Sequence, residues 1–140
     1  MRPVLLFMVL LFLPARAFAM PQKGETLTFE RVIDGATIVA SGKTVALWGV
    51  KALDPADANS FAANLYLETM LKKGDLICTE VSAAGDRHTM HCYSDGADVG
   101  SLMVQMGMAR AADPYYQGEE EYARAQNHGV WRSRRSTPLQ

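Results

Sequence analysis

The chain has 140 residues, with 14 Lys+Arg against 15 Asp+Glu, and only two cysteines. That length suits one domain with a real hydrophobic core. A net charge of −1 excludes the broadly basic surface that generic nucleic-acid binders carry.

The first segment reads as an export signal. Arg2 supplies a positive start, and "VLLFMVLLFL" (Val4–Leu13) is an unbroken apolar run. It is too short to span a bilayer, which needs about 20 residues. Ala17–Ala19 fits the small-x-small cleavage pattern. The pattern predicts a signal peptide over 1–19, a secreted or periplasmic protein, and no transmembrane segment in the mature chain. An uncleaved membrane anchor is the alternative. Without Arg2 and Arg16, the 14 basic residues become 12 against 15 acidic ones, a net charge of −3. The one basic cluster visible in sequence is "WRSRR" (Trp131–Arg135), which leads into a predicted tail over 133–140. Residues 20–26 read as a polar N-terminal extension.

Three strands are predicted next, over Leu27–Asp34, Ala36–Ser41 and Lys43–Val50. They are rich in β-branched and aromatic residues, and Gly35 and Gly42 mark the turns. A helix follows within Leu53–Gly74. Asp54 is its expected N-cap and Pro55 its first residue, with Phe61, Ala62 and Leu65 facing the core. "LICTEVS" and "HTMHCYS" read as a strand pair. With Gly85 at the centre of an antiparallel hairpin, Cys78 lies opposite Cys92, which predicts a disulfide suited to an oxidising compartment. A helix over Asp98–Gly107 follows, with Met103 and Met106 as core filler. A last helix spans Gly118–Gly129, with acidic residues at its start and Arg124 and His128 near its end. Three strands, a helix, two strands and two helices make a mainly β (β+α) order. It is that of a five-stranded OB-fold barrel with three helices.

Five stretches then resemble, in the correct order, those of the thermonuclease (staphylococcal-nuclease-like) family. "VIDGATI" is similar to its V-x-DGDT turn, and "VALWGVKALDP" to its V-R-L-x-G-I-D-A-P-E. "GDRHTM" is similar to its D-R-Y-G-R, "GADVGSLMVQMGMAR" to its DG-x-D-x-x-x-x-L-V-x-x-G-x-A, and "ARAQNHGVW" to its A-x-x-x-x-x-G-I-W. The match covers about Leu27 to Trp131 and implies an SNase-like domain over 27–132. Active members cut DNA and RNA with one calcium ion. That chemistry needs carboxylates for a hard cation, a carboxylate to orient or deprotonate water, and arginines for charge developing on phosphate.

Position by position, the resemblance implies a degenerate site. The two calcium carboxylates fall on Ala36 and Lys51. The two arginines fall on Ala46 and Met90, and Arg87 matches only the first basic residue of D-R-Y-G-R. The general-base Glu falls on Asp54, one methylene shorter, and Leu53 replaces the adjacent Pro. No catalytic residue is intact by this reading, the calcium ligands are lost, and no cofactor is expected. Asp34, Lys51 and Asp54 remain as degenerate-site candidates. Two arrangements stay open: a Lys51–carboxylate cluster in place of the metal, or Lys51 in water with Asp54 only a cap.

His88 and His91 lie three apart on a strand and point to opposite faces, so they do not chelate together. Tyr115 and Tyr116 lie where family members carry tyrosines flanking a bound nucleotide. They are candidate substrate-binding residues, with loop packing as the alternative. The resulting expectation is a secreted, catalytically degenerate domain that binds a protein or cell-envelope partner. An active extracytoplasmic nuclease is the alternative, and weak nucleic-acid binding without cleavage is a third reading.

Overall fold

The computed structural model describes residues 24–132; the predicted signal peptide, most of the N-terminal extension and the tail over 133–140 lie outside the described residues. Three helices and mostly strands make up a mixed α/β architecture, in which seven strands form one sheet that curls into a half-barrel. Among the described residues no helix is long and apolar enough to cross a membrane.

The first predicted strand, Leu27–Asp34, is broken at Thr28, and a separate strand reaches back into the predicted N-terminal extension. β1 (Glu25–Leu27) and β2 (Phe29–Asp34) are separated only by Thr28, yet β1 pairs with β6 (Leu76–Ala84) and β2 with β3 (Thr37–Ala40). Thr28 is held at this corner by Ser41: its amide donates to the Ser41 hydroxyl at 2.8 Å, and the Ser41 amide returns to its carbonyl at 2.8 Å. Ser41 and Gly42 both take positive φ, as the two-residue β-hairpin of the primed type requires, and lead into β4 (Lys43–Leu47). β4 then runs parallel to β7 (Arg87–Ser94), which pairs antiparallel with β6. The order β1-β6-β7-β4-β3-β2 therefore ends on two strands that are neighbours in the chain.

The third predicted strand does not run through to Val50. Gly49 adopts φ +74°, outside the extended region, and breaks it. Val50–Ala52 becomes β5, in a separate two-stranded sheet with β9 (Ala109–Ala111), a strand not foreseen in the sequence. The described residues hold nine strands rather than five, with the two-residue β8 (Ala97–Asp98) extending the β7 edge.

α1 spans Ser60–Leu71 and starts later than predicted. The Asp54 carboxylate accepts from the Ala56 amide at 2.8 Å, and the Asp57 carboxylate from the Asn59 amide at 2.8 Å. The second of these turns takes the Asn59 amide, which in a helix from Asp54 would donate to the Pro55 carbonyl. Asp54 is therefore a turn former and not the helix cap. The helix also buries a different face. Ala63, Leu67 and Leu71 are in the core, while Phe61 is 77% and Leu65 52% exposed. Ala63 faces the β2–β3 turn: a methyl group added at Gly35 would meet its Cβ at 3.4 Å, an ordinary van der Waals contact.

α2 (Val99–Gln105) buries Val99, Met103 and Val104, as its Asp start and Gly stop suggested, but Met106 lies outside it and is exposed. α3 (Gln117–Ala125) carries Glu119 and Glu120 in its first turn and Arg124 in its last, matching the helix dipole. The chain then turns through Gly129–Trp131. The Trp131 ring lies against two guanidinium groups, Arg110 at 4.7 Å and Arg124 at 4.1 Å. Cys78 and Cys92 are opposite each other in the β6–β7 ladder and form the predicted disulfide on the core side of the sheet.

Candidate functional site

Among the described residues the three degenerate-site candidates make no ion pair or hydrogen bond with one another. Asp34, at the end of β2, turns its carboxylate onto the Ala36 amide at 2.9 Å. It lines a small recess of about 150 Å³ with Leu53 and Asn64. Asp54 lines a different groove of about 530 Å³, between the 54–59 loop and the final turn, where Asp57 and Arg132 join it. Lys51 is exposed on β5, directly opposite Arg110 on β9. Among the described residues it makes no ion pair with either aspartate. Of the two arrangements open in the sequence, the internal Lys–carboxylate cluster is thus corrected: Lys51 faces water beside a like charge.

The other positions that the resemblance singled out have structural places. Ala36 is buried, and Ala46 lies in β4 opposite Thr37. Met90 is 1% exposed, and its carbonyl accepts from the Trp48 amide at 2.9 Å, so this position serves the core. Arg87 opens β7 and is exposed. No group of three or more metal-ligating side chains is found among the described residues.

The two tyrosines have opposite fates. Tyr116 is fully buried, so it is not a stacking surface; Tyr115 is 58% exposed. Both sit in the short 3₁₀ turn Pro114–Tyr116, which begins where the Asp113 carboxylate accepts from the Tyr115 amide at 2.9 Å. They belong to an aromatic cluster that the sequence scatters over three elements. Trp48, from the β4–β5 link, lies 5.3 Å from His91 and 5.4 Å from Tyr115, ring centre to ring centre. His91 lies 4.9 Å from Tyr93, its neighbour on the same outer face of β7, and 5.8 Å from Tyr115.

Asp98 fixes this cluster from beneath. Its carboxylate accepts from the Tyr116 hydroxyl at 2.9 Å, from His91 Nε2 at 2.8 Å, and from the Ser101 amide at the start of α2 at 3.1 Å. A carboxylate only accepts, so this contact places the His91 proton on Nε2. Burial, then the Asp98 hydrogen bond and its charge, push the Tyr116 phenol well above its ordinary range. Burial also raises Tyr93. His88, by contrast, pairs with Glu80 on β6, so the two histidines serve separate faces. That Trp48 joins His91 and Tyr93 depends on the parallel β4–β7 ladder, which no local spacing announces. The alternation of His91 and Tyr93 was the one visible signal.

No family model matches the chain, and no curated protein matches it either.

Proposed function

We propose that this chain is a catalytically degenerate thermonuclease-like domain that acts outside the cytoplasm as a binding module. The observation that carries the reading is the state of the would-be catalytic carboxylates. Asp34 and Asp54 each close a local turn, neither forms an ion pair with Lys51, and Lys51 stands in water where the resemblance puts a calcium ligand. A cation placed near Lys51 is repelled, and removing one transition-state stabiliser alone costs about 10²–10³ in rate.

The OB-fold assignment belongs to the same proposal. It is supported by the parallel β4–β7 pairing, by α1 lying between the meander and the β6–β7 hairpin, and by an N-terminal strand that bends at Thr28 to serve both ends of the sheet. Export is supported by the Cys78–Cys92 disulfide, since such bonds persist in oxidising compartments. The partner is a protein or a component of the cell envelope.

Hydrolysis of labelled single-stranded DNA and RNA by the purified mature protein, with calcium and with chelator, tests the reading. No cleavage above background is expected in either condition. Calcium-dependent cleavage abolished by Asp54→Asn overturns it.

A further inference from the structure

We infer that the basic cluster around Trp131, built from Lys51, Arg110 and Arg124, is a binding site for a phosphomonoester; the inference rests on the binding-module reading and names its ligand class. Separate elements bring the cluster together. Lys51 on β5 and Arg110 on β9 are directly opposite in an antiparallel ladder, so their side chains leave the same face. The Arg110 guanidinium lies 4.7 Å from the centre of the Trp131 ring, and that of Arg124, on α3, lies 4.1 Å from the same ring. Lys51, Arg110 and Arg124 are all exposed.

The surroundings offer donors and few acceptors. Among the described residues Glu120 is the one carboxylate paired with the cluster. One of its oxygens accepts from Arg124 at 3.1 Å and the other from the Ala111 amide at 3.2 Å. Neither Lys51 nor Arg110 forms an ion pair among the described residues. Trp131 adds another open donor, since its indole Nε1 is buried with no hydrogen-bond partner among the described residues. Like charges directly opposite in a ladder destabilise it, and a buried donor without an acceptor destabilises the fold as well. Local rules of this kind are broken mainly at functional sites. A negatively charged acceptor answers both defects at once.

Charge selects the ligand. Glu120 offsets Arg124, which leaves two uncompensated positive charges, on Lys51 and Arg110. A phosphomonoester carries close to two negative charges at neutral pH, whereas a carboxylate or a phosphodiester carries one. The planar guanidinium grips phosphate oxygens in pairs, and the lysine adds a point charge. Arg110 is already oriented by its stack on Trp131, so less side-chain freedom is lost on binding. Arg132 is not counted, because it lines the groove that also holds Asp54 and Asp57. A nucleic-acid strand, with one charge per phosphate and a long backbone to track, is a poor match for two cations.

The test is calorimetric titration of the mature protein with inorganic phosphate and glucose 6-phosphate, with dimethyl phosphate and acetate as singly charged controls. The phosphate and the monoester are expected to bind at least about tenfold more tightly than either control. Sedimentation with phosphatidylcholine vesicles carrying phosphatidate or phosphatidylglycerol separates the sources. Recruitment by phosphatidate alone assigns a lipid headgroup, and binding of the free monoester without recruitment assigns a soluble ligand. Lys51→Gln and, separately, Arg110→Gln are each expected to weaken binding by about tenfold. Lys51→Gln keeps the wild-type melting midpoint or raises it slightly, so its loss of binding is not a loss of fold. Three results overturn the inference: no monoester bound in either form, wild-type affinity in both variants, or oligothymidylate bound as tightly as the monoester. The nuclease assay stays independent. Monoester binding with cleavage sinks only the degenerate reading, and neither binding nor cleavage sinks only the phosphate site.

Discussion

Asp98 holds three donors at once, from Tyr116, His91 and the first turn of α2, so its neighbours are coupled to it energetically. Replacing Tyr116 with Phe leaves the ring but removes one donor. A loss of about 1–2 kcal/mol is expected in urea unfolding at neutral pH. The alkaline limb gives a sharper check. The buried phenol is raised above its ordinary value near 10, so above that pH the unfolded chain releases the Tyr116 proton while the folded chain keeps it. The unfolded state then binds fewer protons, and stability falls as pH rises, by at most about 1.4 kcal/mol per pH unit for this group. Tyr116→Phe is expected to flatten that fall. It does not abolish it, because Tyr66 and Tyr93 are raised in the same direction by burial. Lys51 makes a second residue-level prediction. It lies opposite Arg110, a like-charge pair that disfavours the β5–β9 ladder. Lys51→Glu is expected to raise stability by a few tenths of a kcal/mol, read as a slightly higher melting midpoint. A clear fall would restore an internal ion pair.

At the level of elements, the sequence disclosed types better than faces. The hairpin β6–β7 is instructive. Centring it on Gly85 placed Cys78 opposite Cys92, and they are opposite. Yet the turn is Gly85–Asp86, with Ala84 facing Arg87, and an irregularity between Glu80 and Ser82 shifts the register back by one before the cysteines. The hydrophobic alternation of the two strands constrained the pairing near the core, while the exposed tip was free to differ. α1 went the other way. Phe61 and Leu65 follow helical spacing, but Ala63, Leu67 and Leu71 follow it equally well, and spacing alone does not choose between two apolar stripes. In the fold it is the Ala63 stripe that meets the β2–β3 turn, and Ala63 is 1% exposed there. Ala63→Leu is accordingly expected to cost about 1–3 kcal/mol by overpacking, whereas Phe61→Lys stays within about 0.5 kcal/mol. Thermal unfolding of the two variants checks this; the opposite ranking would mean that α1 packs by its predicted face. Of the candidate site, the sequence offered only the positions that the resemblance singled out, and a patch built from Trp48, His91, Tyr93 and Tyr115 depends on long-range pairing, of which only the His91–Tyr93 alternation is local.

For the whole molecule, one close approach locks the C-terminal turn to the rest. Gly107 and Gly129 both adopt positive φ, and a methyl group on either would collide with the other segment's backbone, while the Val130 amide donates to the Gly107 carbonyl at 2.9 Å. The Arg110–Trp131–Arg124 stack closes over the same junction. A larger consequence follows from where the ladders meet. β1 docks on β6 and β4 docks on β7, so both ends of the N-terminal meander join the sheet through a single hairpin, which the disulfide holds together. Contacts such as Thr44 with Arg87, or Glu25 with Cys78, close long loops, and loop closure slows folding. The hairpin therefore acts as the clock of assembly: the earlier part of the chain waits for a later part. Refolding followed by tryptophan fluorescence is expected to be slower for the reduced chain than for the oxidised one. Equal rates would mean that the meander commits to its fold before the hairpin is in place.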